Sequence, residues 1–124
     1  MPQRNDQETT LQDVKDLIAR FTTARDWQQF HTPKNLAMAL VSEASELMAH
    51  FRWSHDGGDG LVLNDAVSAQ EIRHEVADVL LILAELANVA GIDMAQAVHE
   101  KMAINEARYS VEKSKGTAAK YDRL

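Results

Sequence analysis

Apolar residues recur at helical spacing in four stretches of this chain, and no stretch alternates in the manner of a strand. Leu11, Val14, Leu17, Ile18 and Phe21 mark one face of a first helix, capped by Thr9 or Thr10 and running to about Trp27. Gln28 to Thr32 interrupts the pattern. Pro33 suits a first helical turn with Thr32 as its cap, and opens a second helix that ends near Phe51 or Trp53. From Ser54 to Val67 the chain holds His55-Asp56-Gly57-Gly58-Asp59-Gly60, which is loop chemistry, long enough to reach over a neighbouring site as a lid. Ser68 with Glu71 three residues on reads as a capping box for a third helix, which Gly91 closes in the left-handed conformation. Asp93 starts a fourth helix reaching Tyr109, and a basic, polar tail follows Ser110. The elements predict an all-α bundle of four main helices: one domain over 1–124, with its core at 10–110 and a basic C-terminal tail at 111–124.

Four carboxylates break this pattern. Glu43 falls on the stripe Leu36, Leu40, Leu47, and Glu75 on the stripe Ile72, Val79, Ile82, where a helix places core residues. Each has a second acid three residues on, Glu46 and Asp78, so each pair shares a helix face. A buried, unpaired carboxylate is costly; such groups are paired, protonated or bound to a metal. If helices two and three run antiparallel, the pairs face one another and repel unless a cation lies between them. Carboxylate donors with no cysteine and no obligatory histidine suit a hard ion, Mg²⁺ with Mn²⁺ as a substitute. One such pair is commonly just a solvated helix face; two pairs set in apolar stripes fit that explanation less well. A di-iron carboxylate bundle needs Glu-x-x-His on two helices, and the chain offers only Glu71 to His74.

Composition narrows the chemistry. The chain has 124 residues, 45% of them hydrophobic and 26% charged, in the range of an ordinary globular domain. The net charge of −6 argues against a nucleic acid polymer or a membrane surface as partner. It leaves room for a nucleotide, because a bound divalent ion inverts the local charge. Without cysteine there is no disulfide, thiolate site or cysteine nucleophile. The polar N-terminus shows no secretory signal and the longest apolar run cannot span a bilayer, so the expected location is cytoplasmic.

Glu43-Ala44-Ser45-Glu46, 28 intervening residues and Glu75-Val76-Ala77-Asp78 together resemble the E-x-x-E…E-x-x-D metal motif of the MazG-like all-α nucleoside triphosphate pyrophosphohydrolases. Arg25-Asp26-Trp27-Gln28-Gln29-Phe30-His31, Phe51-Arg52-Trp53, Lys101 to Asn105 with Arg108-Tyr109, and Lys120-Tyr121 resemble the dCTP pyrophosphatase branch of that family. The likeness runs from about residue 10 to residue 121. It implies Mg²⁺-dependent hydrolysis of a nucleoside triphosphate, dCTP-like, between the α- and β-phosphates, as house-cleaning of the nucleotide pool. Glu43, Glu46, Glu75 and Asp78 would hold the metal and serve catalysis. Trp27 and Trp53 would enclose the base, since indole faces stack on any nucleobase. His31 would bond the nucleoside, or simply cap a turn. Lys101, Asn105 and Tyr109 recur every fourth residue on one helix face, a cation, amide and phenol set suited to phosphate and sugar. Lys120 and Tyr121 would close on the triphosphate, from the same or a neighbouring subunit. The family works as a dimer or dimer of dimers, which implies a homodimer or homotetramer here.

The likeness departs from the family pattern at three positions. Ser42 stands where many members carry a second Glu, which the dCTP branch also lacks. Ile82 replaces a Tyr at the sugar end of the pocket in vertebrate relatives, and Ile18 replaces a His near the nucleoside. These changes bear on base and sugar recognition, not on the metal chemistry. The competing readings are a dUTPase-like or phosphoribosyl-ATP pyrophosphohydrolase relative, and a non-catalytic helical interaction module whose acids are solvated.

Overall fold

The computed structural model describes residues 4–53 and 61–124, and every regular element among them is helical. Helix α1 (Leu11–Ala24) begins at Thr10, whose Oγ1 accepts from the Asp13 N–H at 3.0 Å while Asp13 Oδ2 accepts from the Thr10 N–H at 2.9 Å. This reciprocal box satisfies two amides that the first turn leaves open. The helix stops three residues short of Trp27. Asp26 adopts φ 53, a left-handed conformation that Asp tolerates and that ends a helix, and the Trp27 N–H turns back to Thr22 O at 3.0 Å. A 3-10 turn over Gln28–Phe30 follows.

Helix α2 (Pro33–Ala49) starts as expected, with Thr32 Oγ1 accepting from the Asn35 N–H at 3.1 Å. It ends at Ala49; Phe51 and Trp53 belong to the turn beyond it. Helix α3 (Ala66–Ala90) starts before the expected Ser68 cap. Asp65 is the cap: its Oδ2 accepts both from the Ser68 N–H at 2.9 Å and from the Ser68 hydroxyl at 2.8 Å. Its carboxylate also meets the positive end of the helix dipole, which a serine hydroxyl does less well. Ser68 is thus inside the first turn, and Glu71 reaches His50 instead, Oε2 to Nδ1 at 3.8 Å. Gly91 closes α3 at φ 68, as its lack of a Cβ favours. The glycine-rich segment 54–60 and the lid read into it lie outside the described residues.

The described chain divides into two compact units, Met1–Ile92 and Asp93–Leu124. In the first, α3 packs against both α1 and α2. His50 meets Glu71, Glu43 meets Glu75 and Asp78, and His31 meets Glu85; the sequence order reverses, so α2 and α3 are antiparallel. At the far end of α3, Lys15 Nζ donates to Ile92 O at 2.9 Å and Asn88 Nδ2 donates to Lys15 O at 3.0 Å, which pins α1. Among the described residues the buried ones are few: Ile72, Ala84, Glu85 and Ala87 on α3, with Thr22 on α1 and Leu36 on α2.

In the second unit, α4 (Met94–Arg108) is capped by Asp93, whose Oδ1 accepts from the Gln96 N–H at 2.9 Å. The tail is not without structure: it forms a short α5 (Val111–Ser114) and a 3-10 turn at Tyr121–Arg123.

Candidate active site

The acid pairs stand on opposite helices because α2 and α3 run antiparallel. Carboxylate oxygens of Glu43, Glu75 and Asp78 lie within 4.8 Å of one another, the first two half-buried and the third exposed. Glu46, also exposed, reaches the group through the Glu43 side chain. Glu43 Oε2 and Glu75 Oε2 are buried with no hydrogen-bond partner among the described residues. Two ionised carboxylates have no donor to share, so each raises the energy of the other. Burial, the adjoining Glu75 and Glu46 side chains and the charges of Glu46 and Asp78 push Glu43 from 4.5 up to about 7. A proton can relieve this arrangement, and so can a cation. Oxygen donors, orphaned buried oxygens and concentrated negative charge fit a hard divalent ion.

A cavity of about 840 Å³ opens between α1, the 3-10 turn, α2 and α3. Glu43 and Asp78 line it, and so do Trp27, His31, Ile18 and Ile82. The left-handed turn at Asp26 places the Trp27 ring edge-to-face with Phe21 at 5.6 Å and tilted against His31 at 6.4 Å. Arg25 backs this cluster, its guanidinium 3.7 Å over the Phe21 ring. A negatively charged corner and an aromatic wall in one pocket suit a ligand with a phosphate end and a flat end.

The structure brings together Glu43, Glu75, Asp78, Trp27 and His31 from the set singled out in the sequence. Trp53 is 83% exposed beside Arg52, whose guanidinium lies 5.2 Å over its ring, and it does not line the described cavity. Lys101, Asn105, Tyr109, Lys120 and Tyr121 belong to the second unit. There Tyr109 and Tyr121 meet edge-to-face at 6.0 Å, with Arg108 4.5 Å over the Tyr121 ring and Lys120 Nζ 5.8 Å from it. The sequence reading passed over Glu85, which is buried in the cavity wall with its Oε2 3.5 Å from His31 Nδ1. Its signal was available: it follows Asp78 by seven residues, two turns of α3, inside an otherwise apolar run.

Residues 38–124 match the MazG-like family. The chain is 42% identical to dCTP pyrophosphatase 1 of Mus musculus over 123 residues, covering 99% of this chain and 72% of that protein. It is 39% identical to dCTP pyrophosphatase 1 of Homo sapiens over 117 residues, covering 94% of this chain and 69% of that one. A crystal structure of a pyrophosphatase from Archaeoglobus fulgidus superposes with a TM-score of 0.74 at 36% identity, covering 81% of this chain and 92% of that one. The acid cluster, the helical architecture and these likenesses agree, and the chain belongs to the MazG-like family.

Proposed function

We propose that this protein hydrolyses (deoxy)nucleoside triphosphates, dCTP foremost, to the monophosphate and pyrophosphate, with Mg²⁺ as cofactor. The observation that carries this is the convergence of Glu43, Glu75 and Asp78 at the acidic corner of a cavity walled by Trp27 and His31. Glu43, Glu75 and Asp78, with Glu46 beside them, would hold the metal. A bound Mg²⁺ supplies charge neutralisation for the triphosphate and acidifies a coordinated water. The protein's own part is to bind and to orient. Trp27 stacks on the base, His31 bonds the nucleoside, and one carboxylate of the set takes the proton of the attacking water. Trp53 is assigned to the base as a second aromatic face. Lys101, Asn105 and Tyr109, with Lys120 and Tyr121, are assigned to phosphate and sugar on the chemistry of their side chains.

Homo-oligomerisation belongs to the same proposal. Met38, Val41 and Met48 on α2, at 62%, 66% and 59% exposure, form a stripe that a second copy would cover. A substrate drawn from the free nucleotide pool supports, within this proposal, a cytoplasmic house-cleaning role. No helix among the described residues is long and apolar enough to cross a membrane.

The test is pyrophosphate release from the eight common nucleoside triphosphates and phosphoribosyl-ATP, with and without Mg²⁺. Fastest Mg²⁺-dependent release from dCTP is expected. Preference for dUTP or phosphoribosyl-ATP would move the protein to another branch. No turnover together with no Mg²⁺-dependent thermal shift would leave a non-catalytic helical module.

A further inference from the structure

Glu85 has no part in the acidic corner, yet it is 5% exposed and lines the same cavity. Its Oε2 is buried without a hydrogen-bond partner among the described residues. His31 Nδ1 stands 3.5 Å from it and is itself buried without a hydrogen-bond partner among the described residues. The wall around them is largely apolar, with Ile18, Leu81 and Ile82 as neighbours in the lining. A carboxylate left in such a place is costly unless something donates to it. Glu85 follows Asp78 on the same face of α3 by two helical turns, about 10 Å along the axis at 1.5 Å per residue. That is comparable to the reach from the α-phosphate of a nucleotide, across its sugar, to the far edge of the base.

We propose that Glu85 selects the substrate's base by accepting a hydrogen bond from the exocyclic amino group of cytosine, with Trp27 against the face of the ring. This rests on the nucleotide reading above and adds the element that reads the base. A carboxylate has only acceptors to offer, and the cytosine N4 amino group is the matching donor. Uracil and thymine present a carbonyl oxygen at that position, and two acceptors face to face repel. Discrimination then comes from leaving the buried carboxylate unpaired with the wrong base, the kind of contrast that a purely apolar wall cannot provide.

The experiment compares the full-length protein with Glu85→Gln and Glu85→Ala, measuring kcat/KM for dCTP and dUTP. The dCTP:dUTP ratio is expected to fall roughly ten- to hundredfold in both variants. Glu85→Gln keeps the shape of the side chain, so thermal melting of that variant separates loss of recognition from loss of fold. A second readout is independent of turnover: binding of dCMP and dUMP, followed by Trp fluorescence in Mg²⁺-free buffer. Tighter dCMP binding in the wild type, erased by Glu85→Gln, supports the assignment even if no triphosphate is cleaved, in which case the pyrophosphohydrolase reading alone fails. Triphosphate cleavage with an unchanged dCTP:dUTP ratio in both variants overturns the role of Glu85 and leaves the pyrophosphohydrolase reading standing.

Discussion

Glu43 on α2 and Glu75 on α3 bring their carboxylates together, each with a buried Oε2 that no described donor satisfies. Two like charges held by separate helices form a spring that pushes the helices apart. What binds between them, a proton or a cation, decides how strongly α2 and α3 hold.

Replacing Glu43 by Gln removes one charge while keeping the side chain's shape. Pyrophosphate release in Mg²⁺ is expected to fall at least about a hundredfold, since a metal ligand is lost. The metal-free variant should melt no lower than the parent, because a repulsion goes with it. Asp78→Asn should likewise lose activity. Full turnover by either variant, measured by pyrophosphate release, would remove these acids from the metal site.

The pH dependence follows from the same residue. Glu43 binds its proton more tightly in the folded protein, titrating at about 7 rather than 4.5. For an acid shifted upward, the folded state is favoured by protonation. Its contribution is therefore complete below 4.5 and is lost as pH rises through about 7. The metal-free protein is expected to lose thermal stability across that window, and the Glu43→Gln protein to lose less. Mg²⁺ competes with the proton, so the rise in melting temperature on adding Mg²⁺ should grow over the same interval. Scanning fluorimetry over a pH series with and without Mg²⁺ measures both.

The two tryptophans should part company. Trp27 lines the cavity, and Trp27→Ala is expected to raise KM by roughly five- to a hundredfold, the usual worth of one stacked base. It also loses the edge-to-face contact with Phe21, so the melting temperature falls. Trp53 is largely in solvent, and Trp53→Ala should change stability by no more than about 0.5 kcal/mol. Any effect it has on turnover then belongs to substrate binding. Steady-state kinetics and thermal melts on both variants decide.

At the start of α3, Asp65→Ala should lower the melting temperature more than Ser68→Ala does. Asp65 accepts two hydrogen bonds at the cap, whereas Ser68 supplies a hydroxyl from within the first turn and its N–H survives the substitution. The Ser68 N–H, and then its hydroxyl, hold the Asp65 carboxyl below its usual 3.8. For an acid shifted downward, the contribution is present above 3.8 and is lost as pH falls further. The two variants should therefore converge in strong acid, which melting curves taken below and above that pH would reveal.

The left-handed turn at Asp26 gives a last test. A β-branched residue resists φ 53, so Asp26→Val is expected to cost about 1–2 kcal/mol and to weaken nucleotide binding by displacing Trp27. Asp26→Gly should keep the turn. Denaturant melts and Trp fluorescence titrations distinguish the two.

Much of this protein is determined locally and is legible in its sequence. Thr10, Thr32, Gly91 and Asp93 cap helices because side chains and backbones a few residues apart meet whatever the rest of the chain does. The acids on apolar stripes announced themselves for the same reason, since helix spacing alone places Glu43 and Glu75 on core faces. Where two local solutions compete, sequence was a poorer guide: Asp65 displaced Ser68 as cap, and the strained turn at Asp26 ended α1 before Trp27. Only the tertiary structure decided which acids meet. The antiparallel packing of α2 on α3 gathers Glu43, Glu75 and Asp78, leaves Glu46 at the exposed margin, and buries Glu85 beside His31. Distance across helices, and the water excluded between them, are properties of packing that no spacing along a single chain contains.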